Sequence, residues 1–182
     1  MTRTRFPAAL FFLIVMLAPA AAAADDATLS ERQPRIRTTD ARLRRLLDQG
    51  TRELPTLRAL VERLASSDVV VYLHCERGAS PHLTDGRLTF LSAVGGFRYV
   101  VVRVSFVGSR ERQLAILAHE LQHAVEVADT PAIVDEATLE REYRRMGFEN
   151  TLLSAPGGLA FDTKAAVATG EQVLREAMAR GD

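Results

Sequence analysis

The segment LAILAHELQHAVEVAD, which begins at Leu114, limits the fold more than any other part of the chain. It places His119 and His123 four residues apart, about 40° around a helix and one turn along it. Two imidazoles on such a helix can face one point. Ile116, Leu117 and Ala118 precede the pair, Leu121 and Gln122 lie within it, and Ala124 and Val125 follow, so its surroundings carry no charge. A helix with these flanks is expected to be semi-buried and to take both imidazoles and the Glu120 carboxylate inside with it. Such burial costs on the order of several kcal/mol unless it is compensated. A divalent cation compensates it directly, whereas the bland alternative satisfies the rings with nearby carboxylates or solvent. Glu120 lies about 100° from His119, beside an ion held by the pair and not in line with it. A general base belongs there, because zinc lowers the pKa of its water to about 7 and an adjacent carboxylate can then draw off the proton.

The rest of the chain reads as helices, a small sheet, and helices again. Asp40 caps a helix running through Gln49, with Leu43, Leu46 and Leu47 on one face and Gly50 ending it. Leu54 to Ala65 repeats the pattern, with Pro55 in its first turn. Val69 to Leu73 is short, continuous and β-branched, as a buried strand should be. Gly78 to Asp85 is a loop. Arg87 to Ala93 and Phe97 to Phe106 form a hairpin across Gly95-Gly96. Ser109 caps a long helix from about Arg110 to Ala128, limited by Pro131. Further helices are predicted over Ile133–Met146, closed by Gly147, and from about Asp162 to Arg180, with a loop at Ser154–Gly158 between them. The order predicts an α+β domain over residues 40–182, with a small, mainly antiparallel sheet and flanking N- and C-terminal helices.

Ahead of that domain, Arg3 and Arg5 precede an apolar run from Ala8 to Leu17, then Pro19 and five consecutive alanines ending at Ala24. A basic start, a short apolar middle and a small-residue exit describe a secretory signal peptide over residues 1–24, followed by a flexible polar leader over 25–39. A retained anchor is the alternative, and no later segment has the length and apolarity to cross a bilayer. The expected destination is secreted or periplasmic. Disulfides form there, yet Cys75 is alone and reads as a buried, inert thiol. The chain balances 23 basic residues against 23 acidic ones, with no basic stripe, which argues against a nucleic-acid partner.

Over Ile116–Val125 the sequence resembles the zinc-dependent metallopeptidases called zincins, whose active-site helix carries an uncharged, semi-buried HExxH core. More loosely the resemblance spans Val69–His123, since in zincins this helix follows a small twisted sheet and packs beneath it. It implies one zinc ion held by His119 and His123, Glu120 as general base, and a peptide or protein substrate.

The third protein ligand of a catalytic zinc site is not declared by the sequence. Metzincin-type relatives have glycine and histidine where this chain has Glu126 and Asp129, so the bend they use is absent from the pattern. Glu126 falls about 20° from His119, one turn past His123, and its side chain leans back towards the pair, either to ligate or to hydrogen-bond a ligand imidazole. Gluzincin-type relatives bring an acid from a later helix, and Asp162 fits that part, or else it is a plain N-cap. Asp162 ranks first, Glu126 second, Asp129 and Glu142 last. His74 and His82 have no spacing argument, and Tyr143 is an oxyanion candidate by type alone. Against the hydrolase stand a metal-binding domain without turnover and a metal-free partner-binding domain. Retention of Glu120 favours the enzyme, because holding a metal does not require it.

Overall fold

The computed structural model describes residues 34–76, 86–106, 108–149 and 161–180. The signal segment 1–24, the leader up to Gln33, the expected loops at Gly78–Asp85 and Ser154–Gly158, and His82 lie outside them. From Pro34 onward the chain forms one compact unit. Its elements are β1 (Ile36–Arg37), α1 (Ala41–Glu53), α2 (Pro55–Ala65), β2 (Val69–Glu76), β3 (Gly86–Val94), β4 (Phe97–Ser105), α3 (Arg110–Asp129), α4 (Glu136–Met146), β5 (Phe148–Glu149), β6 (Phe161–Asp162) and α5 (Lys164–Met178). This is the α+β architecture expected.

Asp40 caps α1 by accepting from the Arg42 and Leu43 amides. The helix does not stop at Gly50 as its glycine suggests. A Cβ there would sit 2.5 Å from Leu57 Cδ2 and 2.6 Å from Leu114 Cδ2, so the residue is small because α2 and α3 close over it. Leu54 ends α1 and opens α2, with Pro55 in the first turn. Leu43, Leu46, Leu54, Leu57, Leu60 and Leu64 from this pair are all buried.

The main sheet has the order β1-β2-β4-β3. The β3–β4 hairpin forms as expected, and Gly95 and Gly96 both have positive φ, the backbone a tight two-residue turn demands. Two corrections follow. The sheet is mixed and not mainly antiparallel, because β1–β2 and β2–β4 are both parallel. The reason is visible in the strands: β4 buries Val100, Val101, Val102 and Val104 and takes the centre, whereas β3 exposes Arg87, Leu91 and Ser92 and takes the edge. The range read as leader also enters the fold, since Ile36–Arg37 pairs with Val71–Tyr72. A two-residue strand has no periodicity to betray it.

Opposed residues in the register share a face, so Val69, Val71 and Leu73 of β2 line up with Arg98, Val100 and Val102 of β4. That face packs against α3, whose Leu114, Leu117, Leu121 and Ala124 are fully buried. Tyr72 and Tyr99 stack on the opposite face, 6.4 Å between ring centroids. Cys75 is half-buried, not fully buried, and receives a hydrogen bond from Arg42 at 3.4 Å.

Helix α3 ends beneath β4. The Arg98 guanidinium reaches from that strand to the carbonyls of Val127 (2.6 Å), Thr130 (2.8 Å), Ala128 (3.2 Å) and Ile133 (3.3 Å), and pairs twice with Asp68 at 2.7 Å. It adds donors to carbonyls at and beyond the end of the helix, of which Val127 and Thr130 also accept backbone amides. Ile133 is buried before α4 begins, and α4 starts at Glu136, with Asp135 and Thr138 forming a capping box. Among the described residues no helix is long and apolar enough to cross a membrane.

Candidate metal centre

Three side chains from two parts of the chain converge on α3. His119 is half-buried and His123 buried, one helical turn apart, their rings 4.9 Å between centroids and inclined at 82°. Asp162 comes from β6. That short strand pairs with β5, Phe148 opposite Asp162, and Gly147 lets it approach: a Cβ on Gly147 would lie 2.5 Å from the Asp162 carbonyl oxygen. Helix α5 then runs against α3. Gly170 permits the close approach, since its Cβ would lie 3.3 Å from both Ala115 O and His119 Cβ.

Asp162 Oδ1 lies 3.3 Å from His119 Nε2 and 3.6 Å from His123 Nε2, and the three ligand atoms all fall within 4.8 Å of one another. A tetrahedral ion with bonds of about 2.0–2.1 Å separates neighbouring ligand atoms by about 3.3–3.4 Å. The two separations from Asp162 are close to that value, so the group could hold a small divalent cation. Two nitrogens and one carboxylate oxygen leave a fourth position free for solvent or substrate.

Glu120 stands beside this triad. It is buried, and among the described residues its Oε2 has no hydrogen-bond partner. Gly86, the first residue of β3, makes room for it: a Cβ on Gly86 would fall 2.4 Å from Glu120 Oε1. Burial raises the Glu120 pKa above the usual carboxylate range, and the neighbouring imidazoles only partly offset it. A buried carboxylate oxygen without a donor is costly to leave so. It fits a site completed by a cation and its solvent.

Burial alone would lower the His119 pKa, but the Asp162 hydrogen bond and the surrounding carboxylates outweigh it and raise the value. Burial likewise pushes Asp162 up, and the hydrogen bond to His119 overrides it, so its carboxyl stays below its ordinary range. Both directions describe groups that hold each other through opposite charge.

Asp162 is thus brought to the histidines, and it is not the N-cap of α5. Thr163 caps that helix, accepting from the Ala166 amide at 3.1 Å. Glu126 is not brought to the triad. Its Oε2 meets His123 on the Nδ1 corner at 2.8 Å, and its Oε1 receives the Thr163 hydroxyl at 2.5 Å. Burial pushes Glu126 up, but the His123, Thr163 and Tyr143 hydrogen bonds bring it below the usual value. Asp129 is exposed and pairs with Arg63, and Glu142 turns to Arg145 at 2.9 Å. His74 is exposed on β2. The Tyr143 hydroxyl is buried against Glu126 Oε2 at 2.9 Å and His123 O at 3.2 Å, and burial raises its pKa well above 10.0, so it faces the clamp around His123 and not an open cleft. An open cleft of about 250 Å³ at Thr39, Asp40, Leu73, His74 and Cys75 includes His74 but none of His119, Glu120, His123 and Asp162.

Sequence reasoning missed Thr163, Gly86 and Gly170. Thr163 carries a signal in retrospect, a hydroxyl residue directly before the apolar run of α5. The two glycines carry none, because only tertiary contact makes their missing side chains matter. No family model, curated protein or solved structure matches this chain.

Proposed function

We propose that the chain is an exported zinc-dependent metallohydrolase, most simply a peptidase, with His119, His123 and Asp162 as ligands and Glu120 as general base. The observation that carries this reading is the buried, partnerless Glu120 oxygen beside a His-His-Asp triad spaced for one ion. Holding a metal would need only the triad. A carboxylate kept inside at a cost and left without a donor is what proton abstraction needs.

A zinc ion held by His119, His123 and Asp162 would supply Lewis acidity and would bring the pKa of its water to about 7. The chain's own residues do the rest. Asp162 and the two imidazoles fix the place of attack. Glu120, flanking His119, takes the proton from the attacking water and can return it to the leaving amine.

A peptide is the favoured substrate for a reason of its own. Strand β3 is the sheet edge, its first residue touches Glu120, and an extended chain can pair with such an edge while presenting a carbonyl to the site. Localisation in the periplasm or outside the cell rests on the sequence of residues 1–24.

Metal analysis and peptide cleavage test the assignment together. Wild type should carry about one zinc per chain, and His123→Ala should lose it. Glu120→Ala should keep the ion and lose cleavage by about 10²–10⁴-fold. A zinc content equal in wild type and Glu120→Ala, with cleavage by neither, would establish a metal-binding domain without turnover. Zinc retained by His123→Ala would remove the site itself.

A further inference from the structure

We propose that Glu126 is a positioning residue that locks the metal triad together from outside: one carboxylate oxygen fixes the His123 ring, and the other anchors the residue next to Asp162. The inference rests on the metal-centre reading above and assigns Glu126 no bond to the ion.

The His123 ring is gripped at Nδ1 by Glu126 Oε2 at 2.8 Å. A carboxylate at that corner favours the tautomer with the proton on Nδ1 and leaves the lone pair on Nε2. Nε2 is the atom that faces Asp162 Oδ1. Tyr143, from α4, donates to the same Glu126 oxygen at 2.9 Å and holds the carboxylate in its place. One Glu126 oxygen is therefore engaged at the Nδ1 corner of His123 and the other at Thr163, and neither belongs to the His119–His123–Asp162 group.

The second half of the lock is Thr163. Its hydroxyl donates to Glu126 Oε1 at 2.5 Å across 37 residues of chain, and accepts from the Ala166 amide at the start of α5. Its backbone amide donates to Asp162 Oδ1 at 2.7 Å. One residue thus caps α5, ties that helix to α3 and orients the carboxylate beside it. Asp162 is distant in sequence from the histidines, so bringing it to them must be held by something local. The Glu126–Thr163 bond is partly buried, direct and adjacent to Asp162. Elements α3, α4 and the start of α5 meet on one carboxylate, and the third ligand arrives only when all three are docked.

Zinc affinity by chelator competition, measured on the full chain, tests the lock. Far-UV circular dichroism checks the fold, and the nitrogen chemical shifts of the His123 ring are read in the metal-free protein. Thr163→Val should weaken zinc binding by about 10–100-fold, the range typical of groups that orient a ligand. Thr163→Ser, which keeps both hydroxyl bonds, should restore it. The wild-type ring should carry its proton on Nδ1, and Glu126→Gln should shift that preference while the fold persists. Wild-type affinity in Thr163→Val, or affinity in Thr163→Ser as weak as in the valine variant, overturns the Thr163 link. If Thr163→Val does not fold, Thr163→Ser and Glu126→Gln still decide, since an unshifted ring in Glu126→Gln overturns the grip on His123. A wild-type chain that binds no zinc but keeps the Nδ1 proton sinks the metal centre and leaves the lock standing. A wild-type ring protonated on Nε2 sinks the lock whether or not zinc binds.

Discussion

Two polar clusters are buried against α3, and they are finished to different degrees. At the end of the helix, Arg98 spends its guanidinium on four carbonyls and both oxygens of Asp68. In the middle of the helix, Glu120 keeps an oxygen with no donor among the described residues, beside three possible ligand atoms within 4.8 Å of one another. The first cluster has every charge answered by the chain itself. The second has more negative charge and lone pairs than the chain provides for. An unanswered buried polar atom is costly, so the difference separates a cluster that serves the fold from one with room for a ligand.

The largest effect should come from the finished cluster. Arg98→Met removes a buried cation and the hydrogen bonds it donates to the end of α3, and should cost about 1–3 kcal/mol in urea denaturation. A cost no greater than that of an exposed substitution would break the contrast, since Arg98 would then be dispensable to the fold. The unfinished cluster should respond in the opposite sense. Glu120→Met replaces a buried, partnerless carboxylate with an apolar side chain of similar length, and the metal-free protein should gain roughly 1 kcal/mol or stay unchanged. A loss of several kcal/mol would mean that Glu120 is structurally satisfied after all.

The smallest effect is a pH dependence. The Arg98 hydrogen bond, opposed by partial burial, holds the Asp68 carboxyl below its ordinary value. A group whose pKa is lower folded than unfolded stabilises the fold above its unfolded pKa, about 3.9, and loses that contribution as pH falls through the folded value. The stability difference between wild type and Asp68→Asn should therefore be flat from neutral pH down to about 4 and shrink below it. Asp68 is 42% exposed, which keeps the difference small. A difference that grew on acidification would show the sign to be wrong.

Much of the architecture was legible because it is written in local patterns. The apolar spacing of Leu57, Leu60 and Leu64, the Val-rich run of β2 and the Gly95-Gly96 turn each specify an element within a dozen residues. What escaped was long-range: a two-residue parallel strand at Ile36–Arg37, the insertion of β4 between β2 and β3, and Gly50 kept small by side chains from two other helices. The site divides in the same way. His119, Glu120 and His123 could be read from helical geometry, because their mutual placement needs one turn of one helix.

The sequence by itself determined the mutual placement of two imidazoles and an acid on one central helix, since the 3.6-residue repeat fixes their angles and the uncharged flanks favour taking them inside. Only the tertiary structure decided between Asp162 and Glu126. The two acids compete for a place within a few ångströms of His123, and the outcome depends on where β5, β6 and α5 bring the chain back. That return is set by Gly147 against the Asp162 carbonyl, Gly170 against His119 and Thr163 on Glu126. Those contacts span from about 15 to more than 50 residues of chain, a distance over which no local pattern carries information.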